Sequence, residues 1–139
     1  FVKRIHIVDP DIILQGAIFE IVTRDVDNVV IPASVFKEFG LRPEVRNFRY
    51  SDMLYSLGRR VDHWAEGSSV PDMSRLETRM WFFYVGKRWI DMGLEAIHFG
   101  QVEIMDDRDR DHTHWRDMMK RIRKYAKKHA RRFRQFSAA

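Results

Sequence analysis

The chain has 139 residues, 45% apolar and 13% aromatic, which is about one domain in length with enough apolar side chain for a core. No apolar run reaches the ~18 residues needed to cross a bilayer, no secretory leader is recognisable, and cysteine is absent, so membrane spans, disulfides and thiolate zinc sites are set aside. The reading is of a soluble chain with the cytosol favoured, and its formal charge of +5 is unevenly spread: ten Lys or Arg stand against Asp117 alone between Arg116 and Arg134, so the remainder is slightly acidic.

Residues Phe1–Val8 read as the end of a helix leading to a turn at Asp9-Pro10-Asp11. From Ile12 to Val22 the chain is nearly all apolar and partly β-branched, the pattern of a strand covered on both faces as in a parallel sheet, with Glu20 near its carboxyl end. Residues 23–73 form a long loop in which only Pro32–Gly40 reads as a short helix, with Pro at its start and Gly at its stop. Phe36, Phe39, Phe48, Tyr50, Tyr55 and Trp64 are too many aromatics for a solvated linker, so this loop is expected either to form a binding lid or to seal one end of the core.

Ser74-Arg-Leu-Glu77 has the spacing of a capping box, and the helix it opens should run to a stop at Gly93. Next, Glu95-Ala-Ile-His-Phe-Gly-Gln-Val-Glu-Ile-Met105 reads as a short buried strand running into a polar turn, placing Gln101 and Glu103 at a strand's carboxyl end. Asp106, Asp107, Asp109 and Asp111 then precede a basic amphipathic helix over 113–134 and suit its positive N-terminal dipole. Its core face carries Trp115, Met118, Met119, Ile122, Tyr125, Ala126, Ala130 and Phe133, and Arg132–Phe136 reads as the entry to a further strand.

Strands alternating with helices in this way predict parallel βαβ units. The expected fold class is α/β, a single domain over 1–139 that is a segment of a (β/α)8 TIM-type barrel or an open parallel sheet. Two complete strands cannot close a barrel. A further chain segment or a second copy in a homo-oligomer is therefore expected to complete the sheet.

Parallel strands put their carboxyl ends on one rim, where sheets and barrels of this class keep their chemistry. Glu20 and Glu103 are thus candidate catalytic carboxyl groups, because glycoside hydrolysis sets two of them about a single bond. Gln15, His98 and Gln101 could bind hydroxyls, while His63 and Trp64 of the loop could contact a sugar ring. The alternative is that the glutamates pair with loop arginines such as Arg24, Arg46, Arg49, Arg59 and Arg60. His112-Thr-His114 lies beside aspartates that lack an EF-hand's Gly and Glu positions, so no metal is expected there. With no glycine-rich phosphate loop and no G-x-S-x-G, no nucleotide cofactor and no serine nucleophile are expected either.

Gln15-Gly-Ala-Ile-Phe-Glu20 and Glu95-Ala-Ile-His-Phe-Gly-Gln-Val-Glu103 resemble strand-and-rim segments of TIM-barrel proteins of the glycoside-hydrolase-like kind. The resemblance covers about a third of the chain and implies a barrel with a saccharide cleft at the strand ends. The function expected is therefore a carbohydrate-active, glycosidase-like protein with a carbohydrate ligand. Two alternatives are a non-catalytic saccharide-binding or assembly domain and an anionic-surface or nucleic-acid binder working through the basic helix. Nucleic acid is not favoured, because no recognition motif accompanies the charges.

Overall fold

The structure, a computed structural model, describes residues 1–132. In chain order it contains α1 (Val2–Val8), β1 (Gln15–Ile18), β2 (Val22–Thr23), α2 (Ala33–Glu38), β3 (Ser68–Ser69), α3 (Leu76–Asp91), β4 (Ala96–Phe99), α4 (Val102–Met105) and α5 (Thr113–His129). Short 3-10 turns at Arg24–Asn28, Tyr50–Met53, Ser56–Gly58 and Arg110–His112 lie between them. β1 and β4 pair in parallel, with Gln15 opposite Ala96 and Ile18 opposite Phe99, and α3 lies in the connection between them. This mixed helix and strand fold with a small parallel sheet matches the βαβ alternation of the sequence, but among the described residues the strands close no barrel. β2 and β3 form a separate antiparallel ribbon.

The apolar stretch Ile12–Val22 is not one strand. It divides at a bend around Glu20, after which Val22 pairs with Ser69 of the loop ribbon instead of continuing along β4. Nor is it covered on both faces. Gly16 and Ile18 are buried, and their register partners Ile97 and Phe99 pack against the core, with the Phe99 ring 5.3 Å from that of Trp115. By the period of two, Gln15, Ala17 and Phe19 line up with Ala96 and His98 on the other face, where Phe19 remains 54% exposed.

Glycines set how closely the helices approach. A Cβ on Gly16 would stand 2.9 Å from the Trp89 ring, so its absence lets the indole lie against β1 and donate from Nε1 to the Ala17 carbonyl at 3.1 Å. Gly86 does the same for α5, since a Cβ there would meet Ile122 Cδ1 at 2.8 Å. Caught between sheet, loop and α5, α3 buries Met80, Phe82, Phe83 and Ile90. By contrast α5 buries only one stripe, Trp115, Met118, Ile122 and Ala126, and turns Lys120, Arg123 and Lys128 to solvent. Phe133, expected on the same stripe, and the strand entry expected through Phe136 lie outside the described residues.

The long loop seals the core. Phe36, Phe48, Tyr50 and Tyr55 are buried, each contributing about 1.5–3 kcal/mol by removing an aromatic side chain from water, whereas Trp64 stays 43% exposed. The loop is fastened to α3 by Glu77, which is where the predicted capping box fails. Glu77 accepts from Arg46 Nη1 and Nη2 at 2.7 and 3.0 Å and from the Arg49 amide at 3.0 Å, leaving it no reach back to Ser74. No side chain takes over the cap: Arg75 stands at the N-cap position without a side-chain bond, and Asp72 braces the turn before it, its Oδ1 accepting from the Ser74 amide and its carbonyl from the Arg75 amide. The hydrogen bonds and charge of Glu77 hold the Arg46 guanidinium above its ordinary value. Replacing Glu77 with Gln should therefore cost about 1.5–3 kcal/mol of unfolding free energy, read as a lower urea midpoint with unchanged slope. A loss under about 0.5 kcal/mol would show that the aromatics anchor the loop unaided. At the far end α3 stops as expected, with Gly93 at φ +90° and its amide on the Ile90 carbonyl.

Candidate functional site

The carboxyl ends of β1 and β4 are joined by one side chain. Glu20 Oε2 accepts from the Gln101 backbone amide at 2.9 Å, and Oε1 accepts from Gln101 Nε2 at 3.2 Å. This is possible because residue 100 is glycine: a Cβ there would overlap Glu20 Oε2 and stand 3.0 Å from its Cδ. An isolated glycine ending a strand pattern is the sequence signal for such a close approach. The loop closes over the same residue, with Trp64 Nε1 donating to the Glu20 carbonyl at 3.2 Å and His63 set edge-on to the indole at 4.7 Å. A carboxylate oriented at both oxygens thus adjoins an exposed aromatic whose ring is held by its own N–H. The donors to the Glu20 carboxylate are both N–H groups of Gln101, and no arginine pairs with it among the described residues.

The other expected site residues fall at different distances from this centre. Glu103 is not at the end of a strand; it lies in the first turn of α4, exposed, with no hydrogen bond or ion pair among the described residues. One residue, Val102, separates it from Gln101, whose amide holds Glu20, a chain span of at most about 7 Å. His98 is exposed on the open face of β4, with its ring 6.3 Å from Phe19. Gln15 opens β1 and so sits at the amino end of the sheet, about 10 Å of strand rise below the end of β1; it does not belong to the rim. The strand-end position expected for Glu20, Gln101 and Glu103 holds for the first two and fails for Glu103, which lies in α4, while Gln15, expected around them, lies at the other end of β1.

Next to Gln101 the rim continues along α4 into the segment 106–112, where the aspartates divide their work. Asp109, only 3% exposed, accepts from the amides of His114 and Trp115 at 2.8 and 2.6 Å and so caps α5. Burial pushes its carboxyl up, but those two amides and His114 outweigh it and hold the group below the ordinary value. Asp106 goes the other way: burial raises it, His112 draws it back, and the nearby Asp109 carboxylate raises it again. Environments that separate the two carboxyl groups make Asp106 the one that keeps its proton to higher pH. Asp107 reaches across to Arg59 and Arg60, at 2.7 and 2.8 Å. His112 and His114 are thus engaged with Asp106 and Arg79, and no group of three metal-ligating side chains occurs among the described residues.

Beneath this segment Tyr55 donates to the Ile104 carbonyl at 3.0 Å. Burial, with Asp72 and Asp107 adding to it, pushes its phenol well above the ordinary range, so Tyr55 is a donor at any working pH. Neither Tyr55 nor the Arg59–Arg60–Asp107 contact is marked by a motif. Both depend on a contact between segments almost fifty residues apart.

No protein-family model matches the chain, and no curated protein or solved structure matches it.

Proposed function

We propose that the strand-end rim is a saccharide site of glycosidase-like type, built on a parallel α/β sheet of the barrel kind. The observation that carries the reading is Glu20, gripped at both carboxylate oxygens by Gln101 beside the exposed Trp64. A sugar ring offers an apolar C–H face and an edge of hydroxyls, so it needs an aromatic platform and oriented polar groups side by side. Held by the donors of Gln101, Glu20 is presented as an acceptor, the role of a base or nucleophile. Glu103 is exposed and unengaged on the neighbouring turn, and serves as the partner carboxyl group. His63 and His98 line the approaches, and the reaction needs no cofactor.

The test is turnover of a panel of aryl glycosides and oligosaccharides by the unmodified chain and by Glu20→Gln, Glu103→Gln and Trp64→Ala. Each Gln variant should lower kcat by at least about a hundredfold while thermal unfolding stays within a few degrees of the parent. Trp64→Ala should chiefly raise KM. Binding without turnover in the unmodified chain would leave a saccharide-binding module. Unchanged turnover in both Gln variants would remove these carboxyl groups from the chemistry.

A further inference from the structure

We infer that Arg59 and Arg60 form an anion subsite of this same rim, fitted to the carboxylate or phosphate of an acidic saccharide; the inference rests on the saccharide reading above. Both guanidiniums converge on a single oxygen, Asp107 Oδ2, through Arg59 Nη2 at 2.7 Å and Arg60 Nε and Nη2 at 2.9 and 2.8 Å. Arg108 extends from the next position of the same segment to Ser56 Oγ at 2.5 Å. Two guanidiniums therefore share one carboxylate, and the third, on Arg108, is held by a hydroxyl instead. The nearby Asp106 is engaged by His112, and Asp52 by Arg49. Nη1 of Arg59 and Nη1 of Arg60 have no acceptor among the described residues, so the cluster keeps both positive charge and unspent donors. A planar fork with free N–H groups suits a two-oxygen anion better than a point charge does.

The backbone holds this fork in place. Leu57, Arg60 and Asp62 all have left-handed φ values, 60, 55 and 52°, which side chains other than glycine seldom adopt. The strain is sustained by specific contacts: the Val70 amide on the Arg60 carbonyl at 3.1 Å, the Asp62 amide on Ser69 Oγ at 2.8 Å, and the Gly67 amide on Asp62 Oδ1 at 2.8 Å. Backbone held in sparsely populated regions by surrounding contacts gathers at ligand clamps. Gln101, which holds Glu20, and Asp107, which holds the arginines, stand on either side of the single helical turn of α4, whose four residues rise about 6 Å. The loop bearing Arg59 and Arg60 also carries His63 and Trp64. A saccharide lying on Trp64 with one unit at Glu20 can thus extend an acidic substituent along α4 to the arginine pair.

The experiment is a calorimetric titration with four probes: an oligosaccharide of hexuronic acid, the same oligosaccharide reduced to its neutral form, a sugar phosphate and inorganic phosphate. The unmodified chain should bind an acidic saccharide at least about tenfold tighter than the neutral one. Arg59→Gln and Arg60→Gln should each reduce that preference to about twofold or less with neutral affinity unchanged, and Lys in either place should restore only part of it. Uronate or sugar phosphate as the tighter probe tells which anion the subsite takes. Equal affinity for acidic and neutral forms, or a preference that survives in both Gln variants, overturns the subsite and leaves the arginines as a fastening for the loop. Inorganic phosphate binding as tightly as the acidic saccharide overturns the link to the sugar site. Failure of every saccharide to bind overturns the saccharide reading itself.

Discussion

Gly100→Ala is expected to abolish the site while sparing the fold. The new methyl group would occupy the place of Glu20 Oε2, and the Glu20 carboxylate would have to leave the Gln101 amide. What moves most is the far end of one flexible side chain, and the Glu20 backbone amide, 3.2 Å from the new methyl group, must also give a little, so the cost in stability should be about 1–2 kcal/mol, the worth of charged hydrogen bonds partly regained from water. The cost to function is larger, because a carboxylate displaced by an ångström or more loses its alignment with a bound substrate. A fall of about a hundredfold in kcat/KM is expected. The two readings are separable in one preparation: urea unfolding for stability, turnover or saccharide binding for the site. Activity that persists in Gly100→Ala would mean that the position of Glu20 across the strand ends is irrelevant to function.

The largest loss of stability is expected at the opposite end of the sheet. Glu95, whose side chain is fully buried, takes Arg131 Nη1 at 2.7 Å and Arg132 Nε and His6 Nε2 at 3.2 Å. One carboxylate thereby gathers α1, the entry to β4 and the residues just after α5. Removing it by Glu95→Ala leaves two arginines and a histidine crowded together. The arginines are partly exposed and can recover some hydration, so the loss should be about 2–4 kcal/mol, near the lower end of the cost of breaking a buried ion pair. Burial pushes the Glu95 carboxyl up, but Arg131, Arg132 and His6 more than offset this and hold it below its ordinary value. The sign of the pH effect follows. A depressed folded-state pKa contributes stability that is fully present above the unfolded glutamate value of about 4.3 and is lost as pH falls through the folded value. Acid titration of the unfolding midpoint should therefore be steeper in the parent chain than in Glu95→Gln below about pH 4.5. Parallel acid profiles would show that Glu95 is not the group being discharged.

How far these features could be read in advance depends on whether their causes are local. The α3 stop at Gly93, the helix at Ala33–Glu38 and the single buried stripe of α5 follow from glycine geometry, proline and periodicity, which act within one element. Parallel pairing of β1 with β4 followed from the strand, helix, strand order. The capping box failed because its Glu77 was claimed by Arg46, thirty-one residues away, a contact that no four-residue pattern reports. Likewise the apolar stretch ending in Val22 broke where Glu20 turned toward Gln101, eighty-one residues on. Of the rim, Glu20 and Gln101 were legible as polar residues following apolar runs. Gln15 was misplaced because an apolar stretch does not announce which end of it is paired. The arginine pair was invisible for the same reason as Tyr55: its acceptor comes from a distant segment.

The most direct test of the strand-end site is a backbone and indole amide map recorded by NMR as an acidic oligosaccharide is titrated into the chain. The expected result is perturbation of the Gln101 amide and the Trp64 indole N–H, both bonded to Glu20, followed by the Arg59 and Arg60 side-chain signals, at a common affinity. Perturbation confined to the exposed basic face of α5, around Lys120, Arg123 and Lys128, and fading as salt is raised, would contradict it and move binding to a polyanion surface.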